Sequence, residues 1–104
     1  MNNQKNIVLC GVGGQGTVLA SKLLAAAAMS KDIPVMSAET IGMAQRGGSV
    51  FSHLRMGNDL YSPMIETGTA DLIIGFEPGE TVRMLPYLKT GGHVVVSTRA
   101  VKPV

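Results

Sequence analysis

The sequence contains a single cysteine, Cys10, and this excludes two kinds of structure. An intramolecular disulfide needs two cysteines, and an iron–sulfur cluster needs several thiolates, of which this chain can supply at most one. The two histidines, His53 and His93, lie far apart in sequence and have no paired ligand spacing near them. We therefore expect no metal site on this chain, structural zinc included.

Aromatic and charged residues are also scarce. Tryptophan is absent, aromatic residues make up 4% of the sequence and charged residues 15%, and the formal net charge is +2. Without a basic block or a set of aromatic side chains that could stack on bases, we expect no nucleic acid binding. The low charge fits a surface covered by a partner, and it fits a compact α/β domain with buried strands nearly as well.

Long apolar runs are missing as well. No stretch reaches the roughly 18 uninterrupted apolar residues of a membrane span. The polar segment Met1–Asn6, followed by a short apolar run, does not have the form of a signal peptide. We expect a cytoplasmic protein without membrane attachment. The length of 104 residues allows one domain, covering residues 1–104.

The apolar runs that are present predict an α/β fold. Short continuous runs with β-branched residues are typical of strands buried on both faces. They lie at Ile7–Cys10, Pro34–Glu39, Ala70–Phe76 and His93–Ser97. An alanine-rich helix is predicted to follow the first run and to end around Ser30. A second helix is predicted to start at Pro78, to have Val82, Leu85 and Leu88 on its apolar face, to be shortened by Pro86 and to end at Gly91-Gly92.

Between the second and third runs, the stretch Ser49–Met56 is predicted to be a strand with two different faces. One face would carry Val50, Ser52, Leu54 and Met56, and the other Phe51, His53 and Arg55. This would place His53 on a half-exposed face. Gly57-Asn58 is a two-residue turn signal, and Asp59–Ser62 is predicted to return as an antiparallel strand. The sequence thus predicts a Rossmann-like layered α/β domain with a mostly parallel sheet and an inserted antiparallel hairpin. No helix is predicted to cover the last strand, so we expect either a partner there or the N-terminal portion of a longer domain.

A glycine-rich loop joins the first predicted strand to the first helix. Gly11, Gly13 and Gly16 have the G-x-G-x-x-G spacing with which dinucleotide-binding folds hold a pyrophosphate at a helix N-terminus. Glu39 follows the second strand, where such folds place an acidic residue that binds the ribose. Three interpretations stay open: a bound dinucleotide, a turn that only joins strand and helix, and a loop that faces a partner subunit's cofactor.

A second glycine-rich stretch contains Gln45-Arg46-Gly47-Gly48. The two glycines would leave the guanidinium of Arg46 with little steric cover, so it could hold a carboxylate or phosphate through two parallel hydrogen bonds. The alternative is a surface arginine on a turn. Glu77 lies at the end of a strand, where functional groups gather, or else caps the helix that begins at Pro78. Because we find no nucleophile elbow and no phosphate loop, we expect no catalytic residue on this chain alone.

Three motifs occur here in an order that resembles one protein family. They are Gly11–Gly16, Ala38–Thr40 with Gly42–Val50, and Ala70–Pro78. Together they resemble the gamma-type subunit or domain of the 2-oxoacid:ferredoxin oxidoreductases. The Gly-Met-Ala-Gln-Arg-Gly-Gly version is similar to the beta subunit of the indolepyruvate:ferredoxin oxidoreductases. The resemblance runs from Ile7 to about Ser97.

The resemblance implies a subunit of an enzyme that decarboxylates indolepyruvate or other arylpyruvates oxidatively to acyl-CoA, with reduction of ferredoxin. Thiamine diphosphate, magnesium and iron–sulfur clusters would belong to a catalytic alpha subunit, CoA would be the co-substrate, and this chain would hold no cofactor. Members of the family continue well past Val104. The loops at the subunit interface, or at an anion, would contain Gly11, Gly13, Gly14, Gln15, Gly16, Thr17, Glu39, Gln45, Arg46, Gly47 and Gly48. Two other hypotheses remain: a stand-alone NAD(P)- or FAD-binding module, and a dimerisation domain without a ligand.

Overall fold

The computed structural model describes residues 4–12, 16–41 and 49–97. The elements in chain order are β1 (Lys5–Val12), α1 (Thr17–Ser30), β2 (Val35–Ile41), β3 (Ser49–Met56), β4 (Ala70–Gly75), α2 (Pro78–Met84), a 3-10 turn (Leu85–Tyr87) and β5 (Leu88–Val96). The strands of these residues form one sheet in the order β2-β3-β1-β4-β5. The predicted α/β fold is confirmed, and α1 ends at Ser30 as expected.

Strand β3 runs against the other strands of the sheet. It is antiparallel to both β1 and β2, whereas β1 pairs with β4, and β4 with β5, in parallel. The antiparallel insertion therefore separates β2 from β1. In a plain dinucleotide-binding fold β2 is the direct neighbour of β1.

The predicted return strand at Asp59–Ser62 is wrong. Both edges of β3 are already paired, one with β1 and the other with β2, so no edge remains for a further strand. The turn begins as predicted at Gly57, which has a φ of 122°. The chain then leaves the sheet, and Nη1 of Arg55 donates to the main-chain oxygen of Ser62 at 2.9 Å. This side-chain hydrogen bond holds the segment that the hairpin pattern predicted to pair as a strand.

The two helices cover opposite faces of the sheet. On one face, Ile7, Leu9 and Leu54 form a buried cluster against residues of α1. On the other face, Val8 and Cys10 are buried in a cluster that includes Met84 of α2. Successive residues of a strand point to opposite faces. Because β1 is covered on both faces, its apolar run is continuous, as the sequence predicted.

The apolar face predicted for α2 is also wrong. Val82 and Leu85 are exposed, and the buried residues of the helix are Thr81 and Met84. Thr81 packs against Gly75 of β4 and Cys10 of β1, and this contact turns the Thr81 side of the short helix towards the sheet. The α-helix ends at Met84 and tightens to 3-10 geometry around Pro86, which has no N–H to continue it.

Strand β5 starts earlier than predicted. It includes Gly91-Gly92, which the sequence analysis placed at the end of the preceding helix. Gly91 has a φ of 83°, and the register between β4 and β5 is irregular over this segment. A Cβ atom on Gly92 would lie 2.6 Å from Cδ1 of Leu88. The two glycines thus allow a bulge within the strand.

Candidate functional site

The two glycine-rich loops are anchored at the same edge of the sheet. The first loop leaves the end of β1 at Val12, which lies opposite Ser49 at the start of β3. The second loop connects the end of β2 at Ile41 with the start of β3. Since neighbouring strands are about 4.8 Å apart, the anchor residues of both loops lie within roughly 10 Å across three strands. The residues from which the two loops leave the sheet therefore lie close together.

The first turn of α1 has the features of an anion site. Gly16 is the N-cap residue with φ 87° and ψ 11°, a left-handed conformation that suits glycine, and no side chain caps the helix. The N–H groups of the first turn and the helix dipole favour a negative charge. The side chain of Thr17 is only 2% exposed, and its Oγ1 has no hydrogen-bond partner. A buried hydroxyl without a partner thus belongs to the first residue of the helix whose N–H groups an anion would bind.

Glu39 does not lie beside the first glycine loop. It is exposed on β2 opposite Ser52, which in turn lies opposite Leu9 in the middle of β1. Strand β3 separates Glu39 from β1, and its level is three residues before the end of β1 at Val12. A ribose-binding acid would be expected at the end of the strand next to β1. The dinucleotide interpretation of Gly11–Gly16 with Glu39 therefore finds no support in the strand order.

Several predicted site residues lie outside the described residues. These are Gly13, Gly14, Gln15, Gln45, Arg46, Gly47 and Gly48. Gly11, by contrast, is described and is buried within β1. The role of Arg46 as a ligand for an anion stays a prediction.

Glu77 lies at the same edge but has a structural role. Its carboxylate accepts hydrogen bonds from the N–H groups of Gly79 at 3.0 Å and Glu80 at 2.9 Å. This is the N-cap arrangement that satisfies donors at the start of a helix. Of the two interpretations that the sequence left open for Glu77, the structure supports capping of α2.

The contact between β4 and α2 involves a glycine that the sequence analysis did not single out. A Cβ atom on Gly75 would lie 1.7 Å from Oγ1 of Thr81. The Thr81 hydroxyl donates to the main-chain oxygen of Glu77 at 2.8 Å and lies 3.8 Å from Sγ of Cys10. Burial raises the pKa of the Cys10 thiol, with the Thr81 contact opposing this effect. The thiol is therefore protonated and inert near neutral pH.

His53 is buried, which corrects the predicted half-exposed position. Its Nδ1 accepts a hydrogen bond from the N–H of Ile65 at 2.9 Å, and its ring meets Tyr87 edge-on with centroids 5.5 Å apart. Burial lowers the pKa of His53 from its ordinary value of 6.5. The imidazole is thus neutral and holds the segment after β3 against the sheet. No local sequence pattern pairs His53 with Ile65, because the contact depends on the path of an irregular segment.

A polar cleft of about 520 Å³ lies at the opposite end of the sheet. Nε of Arg55 donates to Oδ1 of Asn6 at 3.0 Å, and Asp71 accepts from the N–H of Asn6 at 2.8 Å and pairs with Lys89. Burial alone would raise the pKa of Asp71, but Lys89 and the Asn6 N–H outweigh it and leave the pKa lowered. Asn6, Asp71 and Lys89 lie near the amino ends of the parallel strands β1, β4 and β5, and Arg55 lies near the carboxyl end of the antiparallel β3. The cleft therefore lies at the other end of the sheet from the residues that anchor the glycine loops. Its polar side chains come from four strands, β1, β3, β4 and β5.

Two absences concern the part of the chain that the structure describes. Within it, no group of three or more His, Cys, Asp or Glu side chains could hold a metal ion. None of its helices is long and apolar enough to cross a membrane.

Comparison with known sequences gives consistent matches. The profile of the pyruvate ferredoxin/flavodoxin oxidoreductase family matches residues 6–104. The chain is 46% identical, over 95% of its length, to the indolepyruvate oxidoreductase subunit IorB of Pyrococcus horikoshii, and 47% identical over 94% to that of Archaeoglobus fulgidus. It is 34% identical over 85% to the gamma subunit of the NADH-dependent phenylglyoxylate dehydrogenase of Aromatoleum evansii. The matches cover 49%, 48% and 47% of these proteins, so the chain spans about half the length of the curated relatives it matches.

Solved structures show the same fold. The 2-oxoglutarate:ferredoxin oxidoreductase from Magnetococcus marinus, determined with 2-oxoglutarate, coenzyme A and succinyl-CoA bound, matches all of this chain and 18% of its own, with a TM-score of 0.81 and 20% identity. The gamma subunit of a keto/oxoacid ferredoxin oxidoreductase from Geobacter sulfurreducens matches 94% of this chain and 56% of its own, with a TM-score of 0.70 and 23% identity.

Proposed function

Because the chain belongs to the pyruvate ferredoxin/flavodoxin oxidoreductase family, we propose that it is a gamma-type subunit of a 2-oxoacid:ferredoxin oxidoreductase. The curated relatives with 46% and 47% identity are indolepyruvate oxidoreductase subunits, which supports indolepyruvate or another arylpyruvate as the substrate. The complete enzyme would convert the 2-oxoacid and CoA to acyl-CoA and carbon dioxide and would pass the electrons to ferredoxin. We place this reaction in the cytoplasm.

The main observation behind the proposal is that the two glycine-rich loops leave the sheet at the same edge. Both are anchored at the edge where β1 and β2 end and β3 begins. Loops at the carboxyl ends of parallel strands are the usual place for ligands in α/β proteins. Two such loops, one leading into an uncapped helix, would form a surface that faces the active site of a partner subunit.

The described titratable groups near this edge support a binding role over proton transfer. Glu77 is used as the cap of α2, and the thiol of Cys10 is buried and protonated. In this proposal the catalytic alpha subunit binds thiamine diphosphate, magnesium and the iron–sulfur clusters. The present chain completes the complex and supplies no catalytic residue.

The anion at the glycine loops would be a phosphate group of CoA. The uncapped start of α1 and the buried hydroxyl of Thr17 support a negatively charged ligand. Arg46 would add a guanidinium, which binds phosphate through two parallel hydrogen bonds. That a structural neighbour was determined with coenzyme A bound makes CoA the first ligand to test.

Co-expression of the chain with a catalytic alpha subunit tests the proposal. We expect a complex on size-exclusion chromatography and indolepyruvate-dependent reduction of ferredoxin that needs both chains. Arg46→Ala should raise the KM for CoA while Arg46→Lys recovers part of the loss. If Arg46→Ala changes neither assembly nor ferredoxin reduction, the role assigned to Arg46 is wrong. If the unmodified chains neither assemble nor reduce ferredoxin, the proposed function itself fails.

The rival hypothesis of a stand-alone NAD(P)- or FAD-binding module has no support from the fold or the comparisons. The insertion of β3 removes Glu39 from the position that such a module needs. Calorimetric titration of the chain with NAD, NADP and FAD separates the hypotheses, and we expect no binding. Tight binding of any of the three would overturn the helper-subunit proposal in its present form.

A further inference from the structure

The connection between β3 and β4, residues 57–69, contains no helix or strand, yet side chains of the sheet hold its main chain at four places. We call this connection the β3–β4 loop. The side chains that bond to its main chain are those of Gln4, Asn6, His53 and Arg55. These hydrogen bonds are 2.7 to 3.1 Å long and are distributed from Asn58 to Thr69. Loops are usually more mobile than the elements they connect, but the path of this one is fixed.

The β3–β4 loop lies on the same face of the sheet as α2. Ile65 of the loop and Met84 of α2 belong to one buried cluster. The N–H of Gly68 donates to the main-chain oxygen of Pro86 in the 3-10 turn, at 3.0 Å. The loop, the 3-10 turn and α2 therefore form one layer over this face of the sheet, which we call the α2 layer.

The α2 layer exposes several large apolar side chains. Tyr61 is 88% exposed, and Met64, which precedes the buried Ile65, is 47% exposed. Val82 and Leu85 are exposed on the helical part of the layer. Tyrosine and methionine are enriched at protein interfaces, and tyrosine is among the residues that contribute most binding energy there. A largely exposed tyrosine on a fixed loop thus has the features of an anchor for a protein partner.

A fixed loop binds a partner at a lower entropic cost than a mobile one. Ordering a flexible loop at an interface reduces the affinity, and a loop that is already ordered avoids this cost. The tyrosine side chain has only two torsions to immobilise, so holding Tyr61 in a pocket also costs little. The side chains that hold the β3–β4 loop would thereby increase the affinity without contacting the partner.

The charge of the α2 layer indicates the kind of partner that fits it. Residues 57–69 and 77–87 contain four carboxylates and one guanidinium, a formal charge of −3 in a chain whose net charge is +2. These charged residues are Asp59, Glu66, Glu77, Glu80 and Arg83. Protein interfaces bring together surfaces of opposite potential. A basic surface with an apolar pocket therefore fits the layer, whereas a second copy of this chain would oppose two layers of the same negative charge.

The α2 layer begins at the edge from which the glycine-rich loops leave the sheet. Glu77 caps α2 at that edge, and the β3–β4 loop lies towards the other end, beside Arg55. The eight residues of β3 span about 26 Å between the two ends, and an interface of about 800 Å² per partner is roughly 30 Å across. One partner with an interface of ordinary size can therefore contact both the glycine-rich loops and Tyr61.

We propose that the α2 layer is the surface through which this chain binds the catalytic subunit of the proposed complex, with Tyr61 as the anchor. Tyr61 enters an apolar pocket of that subunit, and Met64 and Val82 contact the surface around the pocket. Basic residues of the subunit lie opposite Asp59 and Glu66. The inference rests on the proposed function, because it takes the catalytic subunit as the partner.

Titration of the full chain into the catalytic alpha subunit used for co-expression measures the affinity. Tyr61→Ala removes the anchor, and because Tyr61 is 88% exposed, the urea midpoint of the chain should not change. Leu23→Ala is the matched control, since Leu23 is 62% exposed on α1, on the opposite face of the sheet. We expect Tyr61→Ala to raise the Kd at least about tenfold. Leu23→Ala, and Tyr61→Phe, which keeps the ring, should leave the Kd within about twofold of the wild type.

The association rate tests the charge of the partner surface. Glu66→Lys should slow association, and more strongly at low than at high salt, because charges at the rim of an interface act mainly on this rate. Association of Glu66→Lys at the wild-type rate at low salt would overturn the proposed basic surface.

Three results of the titration would overturn the proposal. Equal Kd values for the wild type and Tyr61→Ala would overturn it and leave the proposed function intact. A wild-type chain that does not bind the catalytic subunit would overturn both. Self-association of the chain alone that Tyr61→Ala abolishes would assign Tyr61 to a second copy, which is also incompatible with the proposal.

Discussion

In the folded chain, a Cβ atom on Gly75 would overlap the side chain of Thr81, at 1.7 Å from Oγ1 and 2.8 Å from Cβ. Thr81 cannot turn away without loss, because its hydroxyl donates to the main chain at Glu77 and it is 4% exposed. The end of β4 and the first turn of α2 therefore meet as closely as a glycine allows. This contact fixes α2 beside the edge that holds the glycine loops.

Gly75→Ala should consequently destabilise the chain by at least about 3 kcal/mol, in the upper range for overpacked cores. Gly79→Ala is the control, since its Cβ would meet only the flexible carboxylate of Glu77, at 2.9 Å from Oε1. We expect Gly79→Ala to change stability by less than about 1 kcal/mol, because better helix propensity offsets some loss of the cap. Urea unfolding measures both. Equal midpoints for the two variants would contradict the close contact.

The neutral state of His53 predicts a pH dependence of stability. Burial lowers the pKa of the folded imidazole below its ordinary value of 6.5, so the unfolded chain binds a proton more readily. The contribution of His53 to the free energy of unfolding is therefore greatest above about pH 6.5, where the imidazole is neutral in both states. It decreases as the pH falls below 6.5 towards the folded pKa. Protonation of Nδ1 would also break the hydrogen bond from Ile65, for which Nδ1 is the acceptor.

His53→Asn tests this because its Oδ1 can accept the Ile65 hydrogen bond without titrating near neutral pH. Between about pH 7.5 and 5, the urea midpoint of the wild type should fall further than that of His53→Asn. The exposed His93 provides the control: His93→Asn should keep the wild-type dependence. If His53→Asn and the wild type lose equal stability, the neutral, buried state of His53 is not the cause.

The ion pair of Asp71 with Lys89 is expected to contribute more to stability than the pair of Glu80 with Arg83. Asp71 also accepts a hydrogen bond from the N–H of Asn6, whereas Arg83 is largely exposed and lies 3.9 Å from Glu80. Asp71→Asn should cost about 1 kcal/mol at pH 7, and Arg83→Ala should cost less than about 0.5 kcal/mol. Because the pKa of Asp71 is lowered from its ordinary 3.8, this stabilisation is present above pH 3.8 and is lost as the pH falls through the folded pKa. Urea midpoints at pH 7 that fall equally in the two variants would contradict this ranking.

The sequence predicted those elements whose burial is visible in local patterns. Ile7–Cys10 is buried on both sides of the sheet, and a continuous apolar run indicates that environment directly. The alternation from Ser49 to Met56 was also a reliable sign of a strand. Its partners were not predictable from the local turn signal at Gly57, because pairing depends on which strand edges are free in the whole sheet.

Sequence patterns indicated the turn at the start of α1 but not the surroundings of the residues beside it. The glycine spacing around Gly16 predicted a tight turn into a helix, and in the structure Gly16 is the left-handed N-cap residue of α1. The interpretation of Glu39 as a ribose-binding acid finds no support, because the strand order places β3 between Glu39 and β1. No local sequence pattern indicates the strand order. The environment of Thr17 was similarly hidden, because a threonine at the start of a helix gives no sign of whether its hydroxyl is paired.

Thr17→Val should have opposite effects on stability and on CoA binding. The buried Oγ1 has no partner, so its replacement by a methyl group should stabilise the chain by about 1 kcal/mol. If the hydroxyl contacts a phosphate of CoA in the complex, the same change should raise the KM for CoA about tenfold, which corresponds to 1.4 kcal/mol. Thr17→Ser keeps the hydroxyl and should preserve the wild-type KM.

Ser52→Ala is the matched control for Thr17→Val. The Oγ of Ser52 is also buried without a hydrogen-bond partner, but it lies in the middle of β3, opposite Leu9 of β1. Its removal should stabilise the chain without changing the KM for CoA, measured in the complex with the catalytic subunit. A Thr17→Val complex with wild-type KM would show that the buried hydroxyl has no part in CoA binding. A raised KM in both Thr17→Val and Ser52→Ala would attribute the effect to the fold, because only Thr17 lies at the start of α1.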